Sequence, residues 1–258
     1  KGASVRETFE VKLERIRHLS QSTLDFRFVK TDGCPVEFEP GQFFRFRFVD
    51  GGGEFERSYS LCNFADDVSG SCFLDLVVST VEGGRASNYL FTCKEGITAN
   101  VSGPFGRLLV PSPLPKRLIL VATSVGIAPF MPILTKLMTS LENELTKVVL
   151  LFGARDREEF LYREELLEIV DRHKNFSLQM CYSRDNLLNQ ESFEHKGYVT
   201  KQLQALRPNA GSDHVLLCGH PQMIDDCYSF LKEAGFGVRQ VTREKYVFAR
   251  EAKTTKKS

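Results

Sequence analysis

The sequence predicts two domains of different construction: an N-terminal antiparallel β-barrel of Greek-key type over residues 1–113, then a C-terminal doubly wound α/β domain with a parallel sheet over 114–258. Three observations carry this. Strand-period alternation fills the first part, continuous apolar strands alternate with amphipathic helices in the second, and Pro111-Ser112-Pro113-Leu114-Pro115 separates them like a linker. At 258 residues the chain can build a core for each domain.

In the first part, Phe9 to Ile16 alternates Phe9, Val11 and Leu13 against Glu10, Lys12 and Glu14. Thr23 to Val29 repeats the pattern, and Gln42 to Val49 sets Phe44, Phe46 and Phe48 against Phe43, Arg45 and Arg47. Gly33-Cys34-Pro35, Pro40-Gly41 and Gly51-Gly52-Gly53 mark turns, and Phe55 to Cys62, Cys72 to Thr80 and Ala99 to Val101 supply further strands. A short helix is expected near Ser87, after Gly83-Gly84.

In the second part the predicted strands are Arg117 to Thr123, Lys147 to Phe152, Ser177 to Tyr182 and His214 to Cys218. Helices are expected over Pro129 to Ser140, Arg157 to His173, Thr200 to Leu206 and Pro221 to Ala234, and Val238 to Phe248 closes the fold before a basic tail. Apolar strands buried on both faces imply a parallel sheet, whose ligands bind at the carboxyl ends of its strands.

Composition excludes several classes. A formal net charge of +1, with 42% hydrophobic and 26% charged residues, gives no global argument for nucleic acid. No run approaches the roughly 20 apolar residues of a membrane span, and Lys1-Gly2-Ala3-Ser4 lacks signal-peptide shape, so a cytoplasmic monomer is expected; the missing initial Met leaves room for an upstream targeting peptide. Seven scattered cysteines without a Cys-x-x-Cys pair argue for reduced thiols and against a zinc site or a Cys-ligated iron–sulfur cluster.

The candidate chemistry sits at four places. Arg57-Ser58-Tyr59-Ser60 offers a guanidinium for a pyrophosphate, a ring for a fused aromatic system and hydroxyls for ring nitrogens, the grip of a flavin. Gly84-Arg85-Ala86-Ser87 opens a helix whose amides and Ser87 hydroxyl suit a phosphate, although a helix cap by Ser87 explains the same residues. The turn from Thr123 through Gly126 to Pro129 joins a strand to a helix, where a dinucleotide pyrophosphate could rest. Arg155, Ser183 and Arg184 lie at the carboxyl ends of neighbouring strands, placed for a 2′-phosphate or as solvated surface, and Cys218 ends another strand, facing a nicotinamide or simply buried.

Taken in order, Arg-x-Tyr-Ser, Gly-Gly-x-x-Ser, Gly-Ile-Ala-Pro and Cys-Gly-x-Pro-x-Met resemble the ferredoxin–NADP(+) reductase superfamily, bacterial type, over nearly the whole chain. The resemblance implies that FAD is held by Arg57, Ser58, Tyr59, Ser60, Gly84, Arg85, Ala86 and Ser87, with Ser60 near flavin N5. It implies that NADP(H) is held by Thr123, Gly126, Pro129, Arg155, Ser183 and Arg184, with Cys218 near nicotinamide C4, and that Tyr246 or Phe248 covers the flavin. Ser60 and Cys218 are then the catalytic residues, and ferredoxin or flavodoxin the electron partner, received on a basic face to which Arg45, Arg47 and Arg85 are assigned. Two departures stand out. Ser124-Val125 replaces the family's Gly-Thr before Gly126, and ten residues follow Phe248. A free-flavin reductase, a detached reductase of an oxygenase or cytochrome, and a non-catalytic redox sensor or docking subunit are the alternatives.

Overall fold

The computed structural model describes residues 6–64 and 70–246. Its first sheet contains β1 (Glu7–His18), β2 (Thr23–Lys30), β3 (Phe43–Asp50), β4 (Gly53–Ser60), β5 (Phe73–Ser79) and β6 (Thr98–Phe105), in the order β4-β3-β6-β1-β2-β5. All its pairings are antiparallel. The edge strands curl back into contact, and just beyond β4 the Cys62 amide donates to the Asp75 carbonyl of β5 at 2.9 Å. The alternation in β3 is realised as read: Phe44, Phe46 and Phe48 are buried in the barrel core with Phe26, Phe28, Leu74 and Leu76. Helix α1 (Arg85–Thr92) sits between β5 and β6 and turns Ala86 and Leu90 into that core.

The second sheet is parallel throughout, in the order β10-β9-β8-β7-β11-β12. Its strands are β7 (Arg117–Thr123), β8 (Lys147–Ala154), β9 (Phe176–Tyr182), β10 (Glu194–Lys196), β11 (Asp213–Gly219) and β12 (Val241–Lys245). Alternate strand residues feed opposite faces. Leu118, Leu120, Leu150 and Met180 pack with α2 (Phe130–Glu142) and α3 (Arg163–Arg172), while Ile119, Val121, Leu151 and Leu217 pack with α4 (Val199–Ala205) and α5 (Pro221–Glu233). The α2 side also takes in Cys62, Val77 and Leu108, so the core runs continuously from barrel to sheet.

The stretch Ser124–Glu142 is long and apolar enough to cross a membrane by length and composition alone. It is 67% buried inside the fold, and Phe130, Ile133, Leu134, Leu137 and Leu141 belong to the core, so it serves as a packing helix.

Three elements depart from the sequence pattern. The helix expected over Arg157 to His173 is split: Asp156 caps a single turn at Arg157–Glu159, and α3 begins only at Arg163. Between them Tyr162 takes a left-handed φ of 56° and donates its hydroxyl to Asp25 Oδ2 of β2 at 2.8 Å, a tertiary bond that helix continuation would forfeit. Strand β10 is too short and charged to show a period. The closing segment is a turn at Val238–Gln240 followed by β12, and Phe248 lies outside the described residues.

Candidate active site

Strand order reverses between β7 and β11, and at this switch point the carboxyl ends of the parallel strands face the barrel. There a cleft of about 500 Å³ is walled by Phe43, Arg57, Ser58, Tyr59 and Ser60 from the barrel, Gly84 to Ser87 from α1, Val125 and Ala128 from the turn after β7, and Glu244 to Tyr246 from the C-terminal strand. That volume lies within the range of ~300–1,000 Å³ usual for small-molecule sites.

Strand β4 brings its four residues to the cleft because it forms a tight hairpin with β3 in unbroken register, Phe46 opposite Arg57 and Phe44 opposite Tyr59. The Tyr59 ring stands edge-on to Phe46, with centroids 5.9 Å apart, and burial pushes its phenol up from the usual value. Arg57 lines the cleft, and among the described residues its guanidinium donates to the neighbouring Glu56 carbonyl at 2.7 Å, which leaves donors for a ligand.

Around α1 the side chains are used differently from the sequence reading. The N-cap is Gly84, which has no side-chain cap, so Ser87 is not the helix cap. Instead the Ser87 hydroxyl is buried at the third helical position and ties down the loop, accepting from the Val81 amide at 3.1 Å and lying within bonding distance of the Val81 and Gly84 carbonyls. Arg85 is clamped by Asp50 through Nε at 2.8 Å and Nη2 at 2.5 Å. That pairing, with a bond from the Gly52 amide, holds the Asp50 carboxyl down to about 2. Arg85 therefore braces the β3–β4 hairpin against α1 and is not a free cation for a partner protein.

The floor of the cleft holds a group that the sequence reading missed. Ser60 Oγ donates to Glu244 Oε1 at 2.8 Å, and Glu244 lies in register with Cys218 on β11. Burial raises the Glu244 carboxyl above its ordinary value despite the Ser60 bond. This carboxyl therefore keeps its proton to a higher pH than an exposed glutamate does. Its one sequence signal was its place two residues before Tyr246 on a strand, which sets both on one face.

Tyr246 lines the cleft, and its buried hydroxyl lies beside Ser60 and Cys218 without a well-formed hydrogen bond among the described residues. Cys218 does not line it: fully buried beside Glu244 and the Tyr246 hydroxyl, its thiol is pushed well up by burial and stays neutral. Access to Cys218 thus requires Tyr246 to move.

Gly126 also has a different use. The sequence reading gives it to a close approach by pyrophosphate, but it faces inward against β11, where an added Cβ would meet the Cys218 carbonyl oxygen at 2.4 Å. Ser124 is the exposed residue of this turn and adopts φ of 50°, a left-handed conformation natural to the glycine it replaces. Thr123 Oγ1 accepts from the His220 amide at 2.9 Å, closing the β7 turn onto the start of α5, and Pro129 is the buried N-cap of α2.

Farther along the sheet, the Ser183 amide donates to the Ala154 carbonyl at 3.1 Å and the Arg184 amide to the Arg155 carbonyl at 2.8 Å. Arg155, Ser183 and Arg184 therefore sit together on two zipped loops beyond β8 and β9. Both arginines are exposed, and among the described residues neither has an acidic partner. Phe43, meanwhile, stacks on Phe105 with centroids 5.6 Å apart, and Phe105 carries Arg6 at 4.9 Å and Arg45 at 4.5 Å over its ring.

This arrangement fits a flavin on one side and a dinucleotide on the other. The cleft offers ring-sized walls, uncapped helix amides, the Arg57 guanidinium and the Tyr246 phenol, while the second sheet offers strand ends carrying Arg155 and Arg184. The fold and site define a two-domain flavin- and nicotinamide-binding oxidoreductase. Residues 10–109 match the oxidoreductase FAD-binding domain family and residues 120–229 the oxidoreductase NAD-binding domain family. Over 245 residues the chain is 31% identical to "Ferredoxin--NADP reductase B" of Sorangium cellulosum, covering 92% of this chain and 95% of that one. It is also 23% identical over 239 residues to the "Toluate 1,2-dioxygenase electron transfer component" of Pseudomonas putida, covering 92% and 67%. Among solved structures it superposes on the Amycolatopsis cytochrome P450 reductase GcoB with a TM-score of 0.81 at 24% identity, covering 93% and 70%. It also superposes on a Neisseria gonorrhoeae ferredoxin NADP+ reductase with bound FAD and NADP, with a TM-score of 0.78 at 22% identity, covering 92% and 98%. The chain belongs to the ferredoxin–NADP(+) reductase family of oxidoreductases, which use FAD and a nicotinamide dinucleotide.

Proposed function

We propose that the protein exchanges a hydride between NADPH and FAD and single electrons between FAD and a small carrier protein of the ferredoxin or flavodoxin class. The observation that carries the choice of NADPH is the trio Arg155, Ser183 and Arg184, two unpaired guanidinium groups and a hydroxyl at strand ends, suited to a doubly charged 2′-phosphate. Resemblance to the Sorangium protein along almost its full length supports the carrier. So does the pair Arg6 and Arg45, set over Phe105 beside the cleft wall, where an acidic partner would dock; Arg47 is partly offset by Glu56 at 3.8 Å.

When bound, the two cofactors supply the redox chemistry itself, and the protein supplies alignment, polarity and a dry site. Arg57 and the α1 amides would hold pyrophosphate charge, and Tyr59 and Tyr246 would offer rings to pack against a bound one. Ser60 Oγ donates to Glu244 Oε1 at 2.8 Å, a hydroxyl–carboxyl pair at the cleft that could hand a proton to a bound ring. Ser60 thereby orients the glutamate carboxyl while burial favours its protonated form. Tyr246 excludes water from Cys218, which packs the nicotinamide side of the site as a neutral thiol.

A second reading keeps this machinery and changes the acceptor to an oxygenase or cytochrome partner, supported by the similarity to the Pseudomonas component. Anaerobic stopped-flow with NADPH and NADH, followed by transfer to a ferredoxin, a flavodoxin, free FMN or a cytochrome, tests both. Rapid flavin reduction by NADPH with onward transfer to a ferredoxin or flavodoxin supports the proposal. Equal rates with NADH refute the 2′-phosphate assignment, and transfer only to a cytochrome favours the second reading.

A further inference from the structure

The loop carrying Ser183 and Arg184 runs from the end of β9 to β10, and a buried ion pair that contributes no cleft-lining atom braces it. Arg157, on the facing loop, sends Nε to Glu194 Oε1 at 2.8 Å and Nη2 to Oε2 at 2.5 Å, a two-pronged grip. Its other donors reach the Leu188 carbonyl at 2.8 Å and the Asn189 carbonyl at 3.2 Å, and its amide reaches Asp185 Oδ2 at 3.2 Å. Asp185 in turn accepts from the Leu187 amide at 2.8 Å, and Glu194 from the Glu191 amide at 3.0 Å. Arg157 thus ties both ends and the apex of the loop, its guanidinium holding the apex and the β10 end and its backbone amide the β9 end.

The loop needs such a brace. Leu187 and Asn189 both sit in the left-handed region, at φ of 50° and 53°, which non-glycine residues leave unless the surroundings hold them. The Glu194 side chain is 1% exposed, and Arg157 holds its carboxyl down to about 2, so the pair stays charged across the working pH range. The outward residues of the two loops, Arg155 and Arg184, are those assigned to the 2′-phosphate, and the inward residues, Arg157 and Asp185, hold them in place.

We propose that Arg157 and Glu194 are positioning residues that set the preference for NADPH over NADH by ordering the Ser183–Arg184 loop. The proposal rests on the 2′-phosphate reading above. Glu194→Gln gives the decisive sign. As a matter of charge alone, removing a carboxylate near the site would strengthen NADPH binding; as loss of the brace, it weakens NADPH binding. A loop ordered about a tenth of the time raises the apparent constant about tenfold.

The experiment is steady-state kinetics of the FAD-loaded full chain with each nucleotide, for E194Q, R157K, R184A and the double variant E194Q/R184A. The expected result for E194Q is a KM for NADPH raised about tenfold, with kcat and the NADH parameters within about twofold. R157K, which keeps the charge and loses the fork, lowers the NADPH-to-NADH ratio of kcat/KM in the same direction and stands in for E194Q should that variant not fold. The double variant is no less selective than R184A, because the brace acts through Arg184. An unchanged or raised NADPH preference in E194Q, or parallel losses with both nucleotides, overturns the proposal. Additive losses in the double variant do the same. An unchanged ratio in R184A overturns the 2′-phosphate reading itself, and this inference with it; a lowered ratio in R184A with wild-type selectivity in E194Q overturns the inference alone.

Discussion

Replacing Gly126 by alanine tests how the cleft is built. The new Cβ would lie 2.4 Å from the Cys218 carbonyl oxygen and 2.7 Å from Gly219 Cα, where ordinary contact begins at 3.4 Å, so the turn and β11 must part by about 1.0 Å (3.4 − 2.4). Neither side can yield cheaply. Both obstacles are backbone atoms of a strand laddered to β7 at Ala122 and to β12 at Glu244, and Gly219 is itself pressed against Thr123. Overpacking of this kind costs about 1–3 kcal/mol. For a chain of this size, about 2 kcal/mol lowers Tm by roughly 4–8 °C. The same displacement moves Val125 and Ala128, which line the cleft. A misplacement of about 1 Å at a reacting site costs on the order of 100-fold in kcat/KM. NADPH oxidation with an artificial electron acceptor and thermal unfolding of the same preparation measure both effects. A G126A protein with kcat/KM within about twofold and Tm within about 1 °C of wild type would refute the argument that β11 and the turn are in contact through this glycine.

Ser124→Gly relieves a left-handed serine worth about 1–2 kcal/mol, partly offset by the extra freedom glycine gains in the unfolded chain, so Tm is expected to rise by a few degrees; a fall would mean the serine side chain stabilises the turn. Glu244→Gln is read through its pH dependence. Because the folded carboxyl binds its proton more tightly than the unfolded one, the stability it lends is full below the ordinary carboxylate value and is lost as pH rises through the raised one. Glutamine still accepts from Ser60 and has no proton to lose, so the gap in Tm between variant and wild type should widen in the variant's favour as pH rises, and parallel curves would sink the assignment. Tyr162→Phe removes the donor to Asp25 Oδ2, leaving that buried carboxylate to Arg15 at 2.9 Å and the more distant Arg17 at 3.8 Å, and is expected to cost about 1–3 kcal/mol in urea unfolding; an unchanged midpoint would show that the bond contributes nothing.

The sequence by itself determined the two sheets and where their chemistry would gather. Alternation in Gln42 to Val49 fixes which phenylalanines enter the barrel, and the short apolar run Arg117 to Thr123, bounded by turn residues, reads as a strand covered on both faces, because burial follows signals local to each stretch. Strand ends follow from the same period, which is why Arg57 to Ser60 could be placed on a strand, and Arg155, Ser183 and Arg184 beyond neighbouring strand ends, before any coordinates. Tertiary structure decided who meets whom. Ser60 and Glu244 are 184 residues apart, so no window joins the serine to its carboxyl partner. Asp50 takes Arg85 from across the β3–β4 hairpin, Asp25 draws Tyr162 out of a helix its own neighbours favour, and β11 leaves no room for a side chain at Gly126. Each of these is a contact between segments distant in sequence, set by packing geometry and by the cost of leaving a buried polar group unpaired, and neither is encoded in local period.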